Sequence, residues 1–318
     1  MKVAAFGSAM VDLIAAFSDV LLPVAVVVSL GYALSRAFPL DARTLNRVSL
    51  YVLSPCLVFV TLLRTDVARG VAAGLTAQML LVMLATTALA FLAAIPLRLA
   101  GRQRSGFLLT TTFMNSGNYG LSVSRFAFGE IGFQYAVLGY LTQAILSQTL
   151  AVYLASAGSA GRRAALRQVF RLPLIYAVLS ALGLRLLGIQ LDESQGPLAV
   201  GLYRGLRLLA DATLPLLLLI LGVQLSQRRA LAASGALGAA AGIRLVASIP
   251  LAFAIGGALG LAGMPLSVGV VQAAMPTAVN MVIIAAEFDA WPEFVSNGVV
   301  ITTLGSLVSL TALIAALR

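Results

Sequence analysis

The most constraining feature of this sequence is a polar interruption inside a long apolar segment. Residues 106–128 are numerous enough to cross the roughly 30 Å hydrocarbon core of a bilayer, yet positions 115–120 read NSGNYG. Glycine costs about 1 kcal/mol relative to alanine in a helix, and asparagine competes for backbone hydrogen bonds. Backbone groups freed in hydrocarbon need protein or water partners, so a break survives only where it lines a cavity. We therefore predict a broken membrane helix with a binding site at the break.

The composition assigns the whole chain to the membrane. Hydrophobic residues make up 60% and charged residues only 10%, with a mean hydropathy of +1.01. Soluble domains carry about 25% charged residues. The net charge of +10 does not indicate nucleic acid binding, because most of the arginines lie in short loops, where they set membrane topology. We expect an all-α polytopic membrane protein in contact with the lipid bilayer.

Apolar segments recur along the chain at lengths suited to membrane helices. Ten are predicted, at about 12–35, 44–63, 71–97, 106–127, 132–157, 171–190, 200–225, 231–261, 264–286 and 293–317. The loops that precede the even-numbered segments hold more arginine than the other loops, although acidic residues near position 290 oppose the trend. By the positive-inside rule, this distribution places both termini on the extracytoplasmic side.

Missing residue types exclude several kinds of chemistry. The sequence has no histidine, and its only lysine is Lys2. A phosphate-binding loop and a retinal Schiff base both need a lysine elsewhere, and histidine-based zinc sites and Ser/His/Asp triads cannot be assembled. We predict no enzyme activity, no catalytic residue, no metal and no cofactor.

The two halves of the chain share motifs at corresponding positions. Leu172-Pro173 opens the sixth segment as Leu22-Pro23 opens the first, and Pro215 corresponds to Pro55. Five segments per half give the copies opposite orientations, which is the inverted repeat of secondary transporters, with a substrate site near the membrane midplane. The predicted domains are residues 1–157 and 171–318, joined by a short basic cytoplasmic linker at 158–170.

The breaks fall at equivalent positions in the fourth and ninth segments. Pro276 removes a backbone donor and forces the ninth segment to kink or unwind. Half-helix N-termini at both breaks would present partial positive charge to an anion such as a carboxylate. The alternative is that glycine and asparagine only permit tight helix crossing and cap the backbone. The predicted substrate-binding residues are Asn115, Ser116, Gly117, Asn118, Pro276, Thr277, Asn280 and Arg244.

Arg244 is a charge near the centre of the eighth segment, with no acidic residue nearby in the sequence. Charges at this depth are costly and are usually functional or paired. It is either a countercharge for an anionic substrate or the partner of a carboxylate on another helix, such as Asp19 or Asp211. Arg207 lies one turn before Asp211, and we expect these two to form an outward-facing ion pair.

Four more polar residues fall inside the predicted spans. They either line the cavity or bridge helices, and bridging is expected for most of them. They are Gln78, Gln143, Ser147 and Gln272.

Several motifs together resemble the auxin efflux carrier family, whose bacterial members are short relatives of plant exporters. The resemblance covers nearly the whole chain and rests on Leu22-Pro23 with Gly31-Tyr32, Leu45-Asn46 followed by Ser54-Pro55, the runs 115–120 and 275–280, and Leu214-Pro215 with Leu221-Gly222-Val223-Gln224-Leu225. It implies ten helices in two inverted halves. Helices 1, 2, 6 and 7 would form a scaffold that dimerises, and helices 3–5 and 8–10 a transport domain that moves like an elevator.

Together with the half-helix N-termini at the breaks, the resemblance leads us to expect a secondary transporter for a small organic anion, such as a mono- or dicarboxylate, in the inner membrane of a bacterium. The first break has Gly117 and Gly120 instead of the proline common at such crossovers. The crossover also lacks the acidic residue of sodium-coupled relatives, so no sodium site is expected, and coupling to protons is left open. The alternatives are transport of a neutral or cationic solute, a non-transporting membrane sensor, and an intramembrane enzyme.

Overall fold

The described part of the chain is helical. The computed structural model describes residues 10–65, 67–156, 172–189, 196–227 and 234–317, and the predicted linker at 158–170 lies outside them. Within these ranges, seven helices are long and apolar enough to cross a membrane. The paired extended backbone found there is one antiparallel bridge, between Met114 and Thr277. The prediction of an all-α polytopic membrane protein is confirmed at this level.

We number the helices of the described residues in chain order. They are α1 Met10–Ala37, α2 Ala42–Arg64, α3 Arg69–Ala94, α4 Gly101–Thr112, α5 Ser116–Ala155, α6 Pro173–Leu186, α7 Pro197–Ser226, α8 Gly235–Ala258, α9 Gly263–Ala273, α10 Asn280–Glu287 and α11 Pro292–Leu317. Gly129 has non-helical angles (φ 67°, ψ −160°), so α5 consists of a short helix, 116–128, and a longer one, 130–155.

Both predicted breaks are present. The fourth predicted segment ends as α4 at Thr112 and resumes at Ser116, after three residues that are not helical. The ninth ends as α9 at Ala273 and resumes as α10 at Asn280. Each break therefore leaves a helix C-terminus and a helix N-terminus near the middle of the protein.

The helices pack in two groups. One contains α1, α2, α6 and α7, and the other contains α3, α4, α5, α8, α9, α10 and α11. In the first group α1 and α7 cross where each presents a glycine. A Cβ atom on Gly222 would lie 2.0 Å from the carbonyl oxygen of Val28, and one on Gly31 would lie 2.2 Å from that of Leu219. Small residues at such crossings let two backbones approach closely.

Four helices contain a π-helical turn. The turns are Phe17–Leu21 in α1, Ser49–Leu53 in α2, Ser116–Gly120 at the start of α5 and Ile243–Ala247 in α8. Such turns are rare and frequently mark functional sites, since they change the direction of side chains. The turn in α8 contains Arg244, and those in α2 and α5 lie beside the cavity described below.

The α1–α7 crossing gives a matched test of packing. We expect Gly222→Ala to lower the unfolding temperature, because a methyl group there meets the backbone of α1 and overpacking costs about 1–3 kcal/mol. The control is Gly205→Ala in the same helix, where a Cβ atom meets nothing within 4 Å. Thermal unfolding of the purified protein in detergent measures both. Equal unfolding temperatures for the two variants would contradict the close approach of α1 and α7.

Candidate functional site

The two breaks cross each other and pair through their backbones. The amide of Asn115 donates to the carbonyl of Pro276 at 2.7 Å, and the amide of Ala278 donates to the carbonyl of Phe113 at 2.9 Å. Proline has no N–H to offer, but its carbonyl still accepts a bond. Buried backbone groups almost always need a partner. Each break therefore satisfies groups that the other break frees.

Thr277 fixes the crossing to two further helices. Its amide donates to the Thr302 hydroxyl of α11 at 3.0 Å, and its own hydroxyl donates to the Thr110 carbonyl of α4 at 2.7 Å. Both threonines are fully buried. The Asn115 carbonyl, in turn, accepts from the Gly120 amide at 2.9 Å, which closes the first turn of the resumed helix. The crossing is thus a rigid element with its polar groups directed by hydrogen bonds.

A cavity of about 330 Å³ lies against one side of the crossing. The residues that begin both resumed helices line it: Met114, Asn115, Gly117 and Asn118 from the first, and Ala278, Val279 and Asn280 from the second. The remaining polar lining comes from Asn46, Ser49 and Ser54 of α2, Tyr140, Gln143 and Ser147 of α5, Gln224 of α7 and Glu287 of α10. The cavity thus lies between the two groups of helices.

The electrostatics of the cavity follow from the helix ends. A helix N-terminus carries the equivalent of about +0.5 charge, because its first amides lack partners within the helix. Here two N-termini, at Ser116 and Asn280, begin at the cavity wall. Glu287 is the one charged side chain among the lining residues that the structure describes. The crossing is therefore the positive end of the cavity. The negative charge in the lining is the carboxylate of Glu287, the last residue of α10.

Three lining atoms are buried and lack a hydrogen-bond partner in the described part of the chain. They are Nδ2 of Asn115, Oγ of Ser49 and Oε1 of Gln224. Their side chains are only 4%, 3% and 5% exposed, respectively. Buried polar atoms in native proteins rarely lack a partner, and an exception calls for an explanation such as a bound molecule. Asn115 offers a donor at the crossing, whereas Gln224 offers an acceptor from α7.

The structure divides the predicted site residues into two sets. Four of the eight, Asn115, Gly117, Asn118 and Asn280, line the cavity. The others lie behind it. The Ser116 hydroxyl donates to Oε1 of Gln143 at 2.9 Å, and Pro276 and Thr277 hold the crossing together. The second set therefore supports the first and is not placed to touch a molecule in the cavity.

Arg244 occupies a place that neither sequence-based alternative anticipated. Its side chain is fully buried and is not part of the cavity lining. Nη1 donates to the carbonyls of Thr111 at 3.0 Å and Thr112 at 3.1 Å, and Nη2 donates to the carbonyl of Ala273. The prediction of a carboxylate partner is wrong, because these three acceptors are backbone carbonyls at the ends of α4 and α9.

The other polar residues singled out in the sequence form an ion pair, bridge helices or line the cavity. Arg207 and Asp211 lie 3.8 Å apart with side chains 53% and 63% exposed, which confirms an outward-facing pair. Gln78 bridges helices by donating to the Ala252 carbonyl at 2.9 Å, and Gln272 does so by donating to the Ser124 hydroxyl at 3.0 Å. Gln143 and Ser147, by contrast, line the cavity.

Sequence reasoning missed several polar residues of the cavity lining. Ser49, Tyr140, Gln224 and Glu287 were not among the predicted site residues, although Gln224 stands inside one of the motifs that carried the resemblance. The available signal was a polar residue within an apolar run, as at Ser49 and Gln224. That signal identifies candidates but does not say which helices face each other.

Comparisons with known proteins agree on a transport family. The family described as "Membrane transport protein" matches residues 16–314. An uncharacterized transporter of Methanothermobacter thermautotrophicus is 31% identical over 301 residues, which cover 92% of this chain and 96% of the relative. An uncharacterized transporter of Methanocaldococcus jannaschii is 26% identical over 299 residues, covering 91% of this chain and 95% of that protein.

The Thr277 hydroxyl gives a test of the crossing itself. Thr277→Val keeps the shape but leaves the buried Thr110 carbonyl without this donor, which costs about 1–3 kcal/mol. We expect a lower unfolding temperature in detergent. The control is Thr142→Val in α5, where the hydroxyl donates only to Leu138 of its own helix. If Thr142→Val lowers the unfolding temperature as much as Thr277→Val does, the bond at the crossing contributes no more to stability than a bond within one helix.

Proposed function

Because the chain belongs to the membrane transport protein family, the auxin efflux carrier-like family that its motifs resemble, we propose that it is a secondary transporter of a small organic anion. The observation that carries the proposal is the cavity wall at the crossing. Two helix N-termini and the unpartnered side-chain Nδ2 of Asn115 meet there, and the lining includes no described cationic side chain. The proposed activity is movement of solute and not an enzymatic reaction.

The substrate class follows from charge and size. Helix N-termini bind carboxylates and phosphates through free amides and the helix dipole. A cavity of about 330 Å³ is at the small end of ligand sites, which run from roughly 300 to 1,000 Å³. A mono- or dicarboxylate fits both conditions. We propose that its carboxylate lies against Asn115, Asn118 and Asn280.

The packing supports an elevator-type mechanism. In our proposal the chain has ten spans as a five-plus-five inverted repeat, with the crossing made by the fourth and ninth. The scaffold is α1, α2, α6 and α7, and the transport domain is α3–α5 with α8–α11. The support is that the cavity lies between these groups and that Thr277, in the break after α9, bonds to both α4 and α11 and makes the crossing rigid. A homodimer through the scaffold belongs to the same proposal.

The location of the cavity also supports an orientation. Asn46 near the start of α2, Leu172 just before α6 and Glu287 at the end of α10 all line it. The Arg102 side chain at the start of α4 pairs with Asp289 just after α10, so these chain positions share one face. Arginine distribution makes that face cytoplasmic. We propose an inward-facing state in a bacterial inner membrane, with both termini outside.

Glu287 favours one alternative, which is transport of a cationic or zwitterionic solute. A sensor that binds ligand at the crossing without moving it is the other. Electrical measurements on proteoliposomes give currents of opposite sign for anions and cations, and radiolabelled uptake separates an electroneutral carrier from a sensor that binds ligand without moving it. Malonate, malate, indole-3-acetate and a neutral amino acid form the panel, each tested with and without a proton gradient.

The crossing amides provide the main functional prediction. We expect Asn115→Ala and Asn280→Ala to lower the affinity for the transported anion by roughly tenfold to a hundredfold each, because hydrogen bonds to charged groups contribute about 1.5–3 kcal/mol. Concentration-dependent uptake into proteoliposomes measures the change. The control is Asn297→Ala in α11, outside the cavity lining. Uptake like that of the wild type in both cavity variants would remove the crossing as the site.

The sign of the substrate charge has a separate test. Asn115→Asp keeps the shape of the side chain but places a carboxylate at the positive end of the cavity. We expect anion uptake to be lost, because two like charges would meet at the cavity wall and repel each other. Uptake of a cationic solute that rises in this variant would reverse the assignment and favour the cation transporter.

A further inference from the structure

An unusual charge balance surrounds Arg244. The residue is fully buried, and its three acceptors in the described part of the chain are backbone carbonyls. A buried cation without a counter-ion is costly, since several kcal/mol of hydration are lost. The site must therefore supply negative charge from another source.

The source is the pair of helix C-termini at the crossing. Thr111 and Thr112 are the last residues of α4, and Ala273 is the last residue of α9. Each C-terminus carries the equivalent of about −0.5 charge, so the two together match one guanidinium group. We infer that Arg244 is a positioning residue, the fixed cation that joins and neutralises both C-termini.

The geometry of the side chain explains why arginine serves here. A guanidinium group presents its donors in a rigid planar fork and cannot lose its proton. One Nη atom reaches two carbonyls of α4 while the other reaches α9, so a single side chain spans both breaks. A lysine ammonium group is a compact point charge and cannot hold both helix ends in this way.

Arg244 also has a consequence for the cavity side of the crossing. The C-termini of α4 and α9 are neutralised inside the protein, whereas the N-termini that follow the breaks begin at the cavity wall. Without Arg244 the uncompensated negative ends would lie close to the positive ones and offset them. Arg244 thus keeps the positive end of the cavity positive, although it does not touch the cavity. This consequence for anion binding rests on the proposed function, while the structural role does not.

Hydrogen exchange tests the structural role without any substrate. The amides of Asn115 and Ala278 form the two bonds of the crossing, so peptides that cover 113–116 and 277–280 report on it directly. In Arg244→Met we expect roughly tenfold or faster exchange in both peptides, as the loss of charge-assisted bonds predicts. Peptides from α1 and α7 should not change. The control is Arg207→Met, which removes an exposed arginine from α7.

Chemical rescue separates a fixed cation from ordinary packing. In Arg244→Ala, ethylguanidinium should restore protection in both peptides, whereas equal concentrations of ethylammonium or sodium chloride should not. Wild type and Arg207→Ala should show no response. Arg244→Lys should recover only part of the protection. The inference would be overturned if hydrogen exchange became faster evenly over the whole chain in the Arg244 variants, or if sodium chloride alone restored protection in the two peptides.

The same variants distinguish this inference from the proposed function. If the chain transports anions, uptake should fall in Arg244→Ala and return with ethylguanidinium. If the wild type moves no anion while exchange and rescue behave as expected, the proposed function fails and the role of Arg244 stands. If the wild type takes up the anion but substitution of Arg244 does not change exchange at the crossing, the proposed function stands and the role of Arg244 fails.

Discussion

The structure depends on one requirement, that backbone groups buried away from water find partners. A membrane helix broken at its centre leaves amides and carbonyls that hydrocarbon cannot satisfy. Two breaks solve this together, since the Asn115 amide bonds to Pro276 and the Ala278 amide bonds to Phe113. Thr277 then ties the crossing to α4 and α11. The result is a polar yet rigid surface in the protein interior, on which a site can be built.

The crossing also separates charge. Its two C-terminal ends are held by Arg244 within the protein, and its two N-terminal ends begin at the cavity. Arg244 therefore binds the carbonyls of the two C-termini, while the partial positive charge of the two N-termini remains available to a ligand. Charged side chains are expensive at this depth. In the proposed function, helix ends and amides bind the anion, so the cavity does not need a second arginine.

Much of the site could be predicted because its local signals are strong. Asparagine and glycine inside an apolar run, and a proline 160 residues after the equivalent position, marked both breaks. Asn115, Asn118 and Asn280 indeed line the cavity. The expected carboxylate partner of Arg244 was wrong for a physical reason. Every residue has a backbone carbonyl, so no residue pattern predicts that two helix ends will act as the counter-ion of Arg244.

The sequence by itself determined that the chain is an α-helical membrane protein, that two of its segments break, and to which transport family it belongs. Hydropathy, helix propensity and short motifs are local properties, and local properties are readable from residue order. The tertiary structure decided which polar groups face the cavity. Ser49 and Gln224 meet the crossing only because α2 and α7 pack beside it, and Arg244 reaches α4 and α9 only through the crossing of the breaks. Such long-range contacts depend on how whole helices pack, which the residue pattern within any one helix does not specify.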